Sequence, residues 1–368
     1  MSNRMTRDAG YSITRWQGLH FYLDGWLQFD GHEYLKIADG GYWYRPGERS
    51  PVVWFPLYPL LIRAGSSVVS DPMIAGMIVT AIAGLVASVL YWQWLTMQGM
   101  SGAARVGAFL GLLWYPYGWY LYGPVQSDAL FLALVLGAFL LIQSDRMVWA
   151  GVIGALATAT RPTAMAVIPA LIVLGLEHDG VLRVPDRATG VVARFNIPVS
   201  FDRSRLRARS LAPGLCILGL GSYMTYLGVR FGDPIAFINN QRVYHPGNLP
   251  WLKRAFFVAW RDSPDWTLTL TLTGQAIMAG IVIVSVPFVG RRFGWGAAVF
   301  VGALVAIPTL STEDFMGTGR YLMAAFPAAA LIGERLVARG RLGRSWFVLS
   351  AVLLVGLNMA YSRSWYLT

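Results

Sequence analysis

A chain of 368 residues that is 55% hydrophobic and only 13% charged is not a soluble globular protein, which would carry about a quarter of its residues as charges. The net charge of +11 does not point to nucleic acid, because 28 of the 30 basic residues are arginines spread through loops between apolar runs. That distribution suits anionic lipid head groups or a phosphate-bearing substrate.

Residues 1–50 hold no apolar core of signal-peptide length, so neither a signal peptide nor a signal anchor is expected there, and a segment upstream of Met1 is. From Ile13 to Trp54 aromatics and mixed charges suit a segment lying on the membrane surface, within an interfacial region taken as residues 1–70. Its densest stretch, "FDGHEYLKIADGGYWY" (residues 29–44), crowds Asp30, His32, Glu33, Lys36 and Asp39 together. The pattern predicts a short helix over Gly31–Ala38, capped by Asp30 and stopped by Gly40-Gly41. Tyr34, Ile37 and Ala38 form its apolar stripe, suited to resting on lipid. Two compatible readings of Asp30 stand here: a helix cap, or a carboxylate held at the interface to take a proton from a substrate hydroxyl.

Trp54–Val69, with two prolines and an arginine, reads as half-embedded. Residues 71–361 then supply about nine to ten spans of an all-α polytopic membrane protein, a single integral domain over residues 1–368. They are Met73–Trp94, Arg105–Tyr122, Ala129–Gln143, Leu211–Val229, Leu272–Val289, Gly294–Leu310, Tyr321–Val337 and Ser345–Tyr361. Trp149–Leu176, interrupted by "TRPT", counts as two short ones.

The loop 178–210 carries arginines at 183, 187, 194, 203, 205, 207 and 209, and Arg291-Arg292 and Arg339–Arg344 are also dense in positive charge. The positive-inside rule places all three in the cytoplasm. The outer face then collects the N-terminal region, residues 122–129, 160–163, the loop 231–267, and residues 311–321. Asp30, Asp128, Arg161 and Arg320 all fall on that face, each beside an apolar run. Any one alone reads as an interfacial charge reaching for water. Four together argue a shared polar cavity, since an ionisable group at mid-bilayer costs roughly 2.5–3.5 kcal/mol on insertion scales.

Locally, Asp128 opens a span where the helix dipole favours an acid. Arg161 precedes Pro162 at a break between apolar halves, and a guanidinium there suits a phosphate oxygen. Arg320 starts a span in the same way, and Asp233 in "GDPIAF" reads as a turn at a span end. The sequence lacks GxxxxGK[ST], HExxH, a Cys/His cluster and G-x-S-x-G, and Cys216 is its single cysteine. No metal or cofactor is predicted.

In order along the chain, these motifs resemble those of the PIG-V-like mannosyltransferases, relatives of the second mannosyltransferase of GPI-anchor assembly, within the GT-C superfamily. The family's Trp-Asp-x-x-His-[Phe/Tyr]-x-x-Ile-Ala-x-x-Gly-Tyr is similar to the run Phe29 to Tyr42. Its Phe-Pro-x-[Tyr/Phe]-Pro-Leu is similar to Phe55–Leu60, and its Tyr-Pro followed by Ser-Glu-x-Leu-Phe to Tyr115-Pro116 and Ser127–Phe131. Thr160–Thr163, "GDPIAF" and Gly319–Leu322 resemble three later motifs. Phe29 replaces the family's Trp, Glu33 its His with His32 one place early, and Asp128 its Glu.

The resemblance implies a GT-C-like helix bundle with interfacial helices on the outer face of a bacterial plasma membrane. It implies inverting transfer of a hexose, mannose, from a polyprenyl-phosphate-sugar to a lipid-linked or glycan acceptor. Asp30 would be the general base, and Arg161 and Arg320 would hold the donor phosphate. Asp128, His32, Glu33, Tyr34 and Asp233 would orient the substrates. Two rival classes remain: a transporter or flippase for lipid-linked sugars, and a non-catalytic lipid-binding partner. A transporter would show paired internal repeats, and none is found.

Overall fold

The computed structural model describes residues 23–185, 188–244 and 249–365. The interfacial reading of residues 1–22, and Arg187 in the basic loop, lie outside them. The described chain is helical with one two-stranded ribbon.

Two short helices, α1 (Asp30–Gly40) and α2 (Leu57–Val69), precede α3 (Pro72–Met97) and α4 (Gly102–Leu113). Next come α5 (Asp128–Gln143), α6 (Met147–Thr158), α7 (Val167–His178) and α8 (Ile217–Phe231). The loop helices α9 (Ala236–Tyr244) and α10 (Arg254–Asp262) lead to α11 (Trp266–Phe293) and α12 (Trp295–Ser311). The single-turn α13 (Thr318–Leu322), then α14 (Phe326–Val337) and α15 (Arg341–Ser362), close the bundle. Four stretches are long and apolar enough to cross a membrane: α3, the run Ala208–Phe231 ending in α8, α11, and α15. The other apolar helices of the bundle are shorter, 10–17 residues.

Prolines account for the main departures from the expected spans. Arg105–Tyr122 is not one helix. It stops at Leu113 and resumes as a 3-10 turn over Gly118–Leu121, because Pro116 offers no N–H and disfavours a helical residue before it. Tyr321–Val337 is likewise divided, with α14 restarting at Phe326 and Pro327 in its first turn. Trp149–Leu176 does form two helices, α6 and α7, parted at Arg161-Pro162. Within the basic loop, β1 (Leu182–Arg183) pairs antiparallel with β2 (Ser200–Phe201), a ribbon the all-helical expectation did not contain. Asp202 secures it through ion pairs with Arg183 at 3.1 Å and Arg205 at 3.3 Å.

α3 packs along α5, α4 along α14, and α12 against α7 and α11. Lipid tails are as apolar as the helices, so close backbone approach matters more than greasiness. At the α4–α14 crossing, a Cβ on Gly333 would stand 2.4 Å from the Gly107 carbonyl oxygen, so only glycine fits. The centre is aromatic, with Phe326 edge-on to Trp94 at 4.9 Å and to Phe139 at 5.2 Å.

The bundle has two chemically different ends. α5 runs away from Asp128, α6 returns to Arg161, and the short links alternate direction thereafter. At the far end Glu177 accepts from the Trp295 and Gly296 N–H groups at 2.8 and 2.7 Å. There too Arg292 pairs with Glu334 at 3.3 Å, and Arg209 with Asp179 at 2.8 Å. The basic loop, Arg291-Arg292 and Arg339–Arg344 therefore share the end opposite Asp30, Asp128, Arg161 and Arg320.

Gly333→Leu is expected to destabilise the bundle by about 1–3 kcal/mol through overpacking. Gly280→Ala, on an open face of α11 with nothing within 4 Å, should be neutral or slightly stabilising. Thermal unfolding of both variants in detergent checks this pair.

Candidate functional site

α1 ends where Gly41 takes φ 78°, a left-handed conformation that costs glycine least. Arg63 of α2 donates to the terminal carbonyls of Ala38 at 2.5 Å and Asp39 at 2.9 Å, so the helix is clamped at its C-terminus. Its apolar stripe does not rest on lipid. Tyr34, Ile37 and Ala38 are buried in the protein. The Tyr34 hydroxyl shares a 2.9 Å hydrogen bond with Ser127, and its ring meets Tyr58 edge-on.

Asp30 does not cap this helix. It is the first helical residue, the cap position belongs to Phe29, and no side chain bonds the first-turn N–H groups. Phe29 has φ 50°, a strained value for a non-glycine residue directly before the candidate base. Its ring lies 5.6 Å from that of Tyr361. The Asp30 carboxylate instead accepts from Arg320 Nη1 at 2.7 Å. Asp128 is no cap either, since Ser127 occupies that position and makes no capping bond.

Asp128 sits between two guanidiniums. One oxygen accepts from Arg161 Nη1 and the other from Arg320 Nε at 2.9 Å. Arg320 also donates to Gln126 Oε1 at 2.6 Å through Nη2. All three charged side chains are almost fully buried, whereas the Asp30 side chain is 34% exposed. Tyr120 lies 4.8 Å from the Arg320 guanidinium carbon and Tyr321 lies 4.9 Å from that of Arg161, faces that suit a desolvated cation. Arg320 is thus committed to Asp30, Asp128 and Gln126. Arg161 holds one carboxylate oxygen, and its buried Nε has no hydrogen-bond partner among the described residues.

Neighbouring elements fix Arg320. Gln275, in the apolar span α11, accepts from the Gly319 N–H at 2.9 Å, and Tyr115 donates to the Gly319 carbonyl at 2.9 Å. A Cβ at 319 would stand 2.4 Å from the Tyr117 ring, which explains the glycine. Upstream, Lys253 donates to the carbonyls of Thr312 and Asp314, each at 2.7 Å, pinning the loop that leads to Arg320. Burial lowers the Lys253 pKa to about 8, so its ammonium form still predominates at neutral pH. On the other side, Gln126 donates to the Gln28 carbonyl at 3.2 Å and Ser364 donates to Gln28 Oε1 at 2.8 Å. These bonds strap both described termini over the site.

Asp30, Asp128, Arg161 and Arg320 therefore meet in one hydrogen-bonded cluster, with Tyr34 alongside through Ser127. His32 and Glu33 follow Asp30 on α1. Burial, then the Lys36 ammonium, lower the His32 pKa, so at neutral pH it supplies no positive charge. Glu33 pairs with Lys36 at 2.7 Å. Asp233 has different company: it accepts from the Ile235 N–H, Asn239 and Tyr44, ordering the turn into α9. Asp145, His178 and Asp179 form the one carboxylate–histidine group among the described residues with metal-like spacing. It lies at the basic end, where Arg209 already binds both acids.

Gln126, Gln275 and Tyr115 are members or supports of the cluster that sequence reasoning did not assign. Gln275 left a readable signal, an amide within an apolar span where a polar group is costly. No known protein family, curated protein or solved structure matches the chain.

Asp128→Asn would leave the buried Arg161 without a counter-charge and Arg320 with Asp30 alone, and breaking a buried pair typically costs about 3–5 kcal/mol. Asp30→Asn removes a partly exposed partner and should cost about 1 kcal/mol or less. Melting temperatures in detergent should fall in that order. The reverse order would show that Asp128 does not hold the cluster together.

Proposed function

We propose that this chain is a membrane glycosyltransferase of the GT-C type, resembling the PIG-V-like mannosyltransferases. It would move a hexose, mannose, from a polyprenyl-phosphate-sugar to a hydroxyl of a lipid-linked or glycan acceptor. The observation that carries the reading is the division within the cluster: Asp30 alone is open to solvent, and it is coupled through Arg320 to the buried Asp128 and Arg161.

In the proposed step an Asp30 oxygen takes the acceptor hydroxyl proton, and the acceptor oxygen bonds to the anomeric carbon from the face opposite the phosphate. The carbon–oxygen bond to phosphate breaks with its electron pair staying on phosphate, so the anomeric centre inverts. A fixed cation beside the leaving oxygen lowers the barrier without reorganisation. Arg161, with donor capacity to spare, is assigned that role. Arg320 is assigned to positioning Asp30. The arginine-rich end would face the cytoplasm and the cluster the outer side of a bacterial plasma membrane, as the positive-inside rule favours.

Membranes carrying wild type or Asp30→Asn at equal expression would be given radiolabelled polyprenyl-phosphomannose and lipid extract. Loss of at least about 100-fold in transfer is expected, the low end of what a general base contributes. Equal transfer by both proteins would overturn the assignment of Asp30.

A further inference from the structure

A lateral groove of about 800 Å³ lies between α2 and α3 on one side and α5 and α6 on the other. Val79 and Leu130 line it toward the Asp128 end, and Gln93, Ser144 and Arg146 line it toward the basic end. From Val79 to Gln93, as from Leu130 to Ser144, the helical rise gives a length of about 21 Å. One leaflet of hydrocarbon is about 15 Å thick, half of a bilayer core, so the groove has room for an extended chain.

Its polarity is one-sided. Apart from Gln93, Ser144 and Arg146, the lining side chains are apolar, and those three gather at the basic end. Arg146 is exposed there and makes no side-chain hydrogen bond or ion pair among the described residues. The adjacent Asp145 is paired not with Arg146 but with Arg209, at 3.4 Å, an arginine that also holds Asp179. At the opposite mouth the lining offers no polar group to a head group.

We infer that this groove binds one anionic phospholipid from the leaflet at the basic end. Its phosphate sits on Arg146, with Ser144 and Gln93 as further donors, and one acyl chain lies between α3 and α5 toward Leu130. The inference does not depend on the proposed transferase activity, since none of these residues belongs to the Asp30 cluster.

The test is a lipid titration of the purified full chain in detergent, followed by native mass spectrometry, with phosphatidylglycerol and phosphatidylcholine as probes. A Cβ on Gly137 would meet Ile153 at 3.5 Å and Leu90 at 3.8 Å, ordinary contacts, so Gly137→Leu fills the groove without forcing the helices apart. Arg146→Ala alters an exposed side chain, and unchanged melting temperatures would establish that both variants fold.

Wild type should bind one phosphatidylglycerol in preference to phosphatidylcholine. Arg146→Ala should weaken phosphatidylglycerol about five- to tenfold, leaving phosphatidylcholine unchanged. Gly137→Leu should weaken both. Equal phosphatidylglycerol affinity in wild type and Arg146→Ala would overturn the head-group assignment, and undiminished binding by Gly137→Leu would overturn the chain's placement. Displacement of phosphatidylglycerol by polyprenyl phosphate, equally in wild type and Arg146→Ala, would mean that a lipid enters from the other end, which also overturns the proposal.

Discussion

Asp128, held between Arg161 and Arg320, is the interaction on which the architecture turns. A lone carboxylate in that interior would neutralise itself before it stayed ionised. With two guanidiniums it remains charged, and it ties together three points far apart in sequence: the start of α5, the break between α6 and α7, and α13. Such a pair contributes little net stability against a well-packed apolar alternative, because desolvation offsets most of its attraction. What it imposes is register. The three chain segments must present their ends at one depth, or a charge is left unpaired.

Helix length and chain breaks follow from that demand. α5 is about 24 Å long and α6 about 18 Å, both short of the roughly 30 Å hydrocarbon core. Their charged ends therefore lie inside the protein, with α5 packed along the longer α3 and α6 along the run Ala208–Phe231. The interruptions at Pro116 and Pro162 fall at that same end. Irregular backbone at membrane depth survives only where protein or a polar cavity satisfies it. Here the freed groups are answered locally, as where Ala159 accepts from the Leu57 N–H at 3.0 Å and Gly319 bonds Gln275 and Tyr115.

This logic also decides what could be read beforehand. Hydropathy marked the long spans, the positive-inside rule put Asp30, Asp128, Arg161 and Arg320 on one face, and the cost of a charge in lipid argued that they share a cavity. It could not say that Arg320 is spent on carboxylates, because pairing depends on the turn of α13 and on the Gly319 contact with Tyr117. Asp30 and Asp128 both looked like helix caps, since each opens a helix. Capping needs the residue outside the first turn, and each lies one position within it. The apolar stripe of α1 was legible, while its burial under α2 and Ser127 was a tertiary fact. Gln126 carries no periodicity or charge to betray it, although it bonds Arg320 at 2.6 Å.

The cluster's charge balance bears on how such a site could work. Two carboxylates face two guanidiniums, so the group is formally neutral at rest. Three of its members are buried and bound to one another, which leaves Asp30 as the member open to a ligand. Under the proposed chemistry, proton uptake by Asp30 would weaken its bond to Arg320 and shift the cluster from neutral to a net positive charge. That charge would appear as the departing phosphate becomes more negative, and in a low-dielectric pocket the two changes favour each other. On that proposal, base and phosphate-holding cation would need no separate machinery. A proton delivered by the acceptor to the one exposed carboxylate would unmask a positive charge that the resting site keeps balanced.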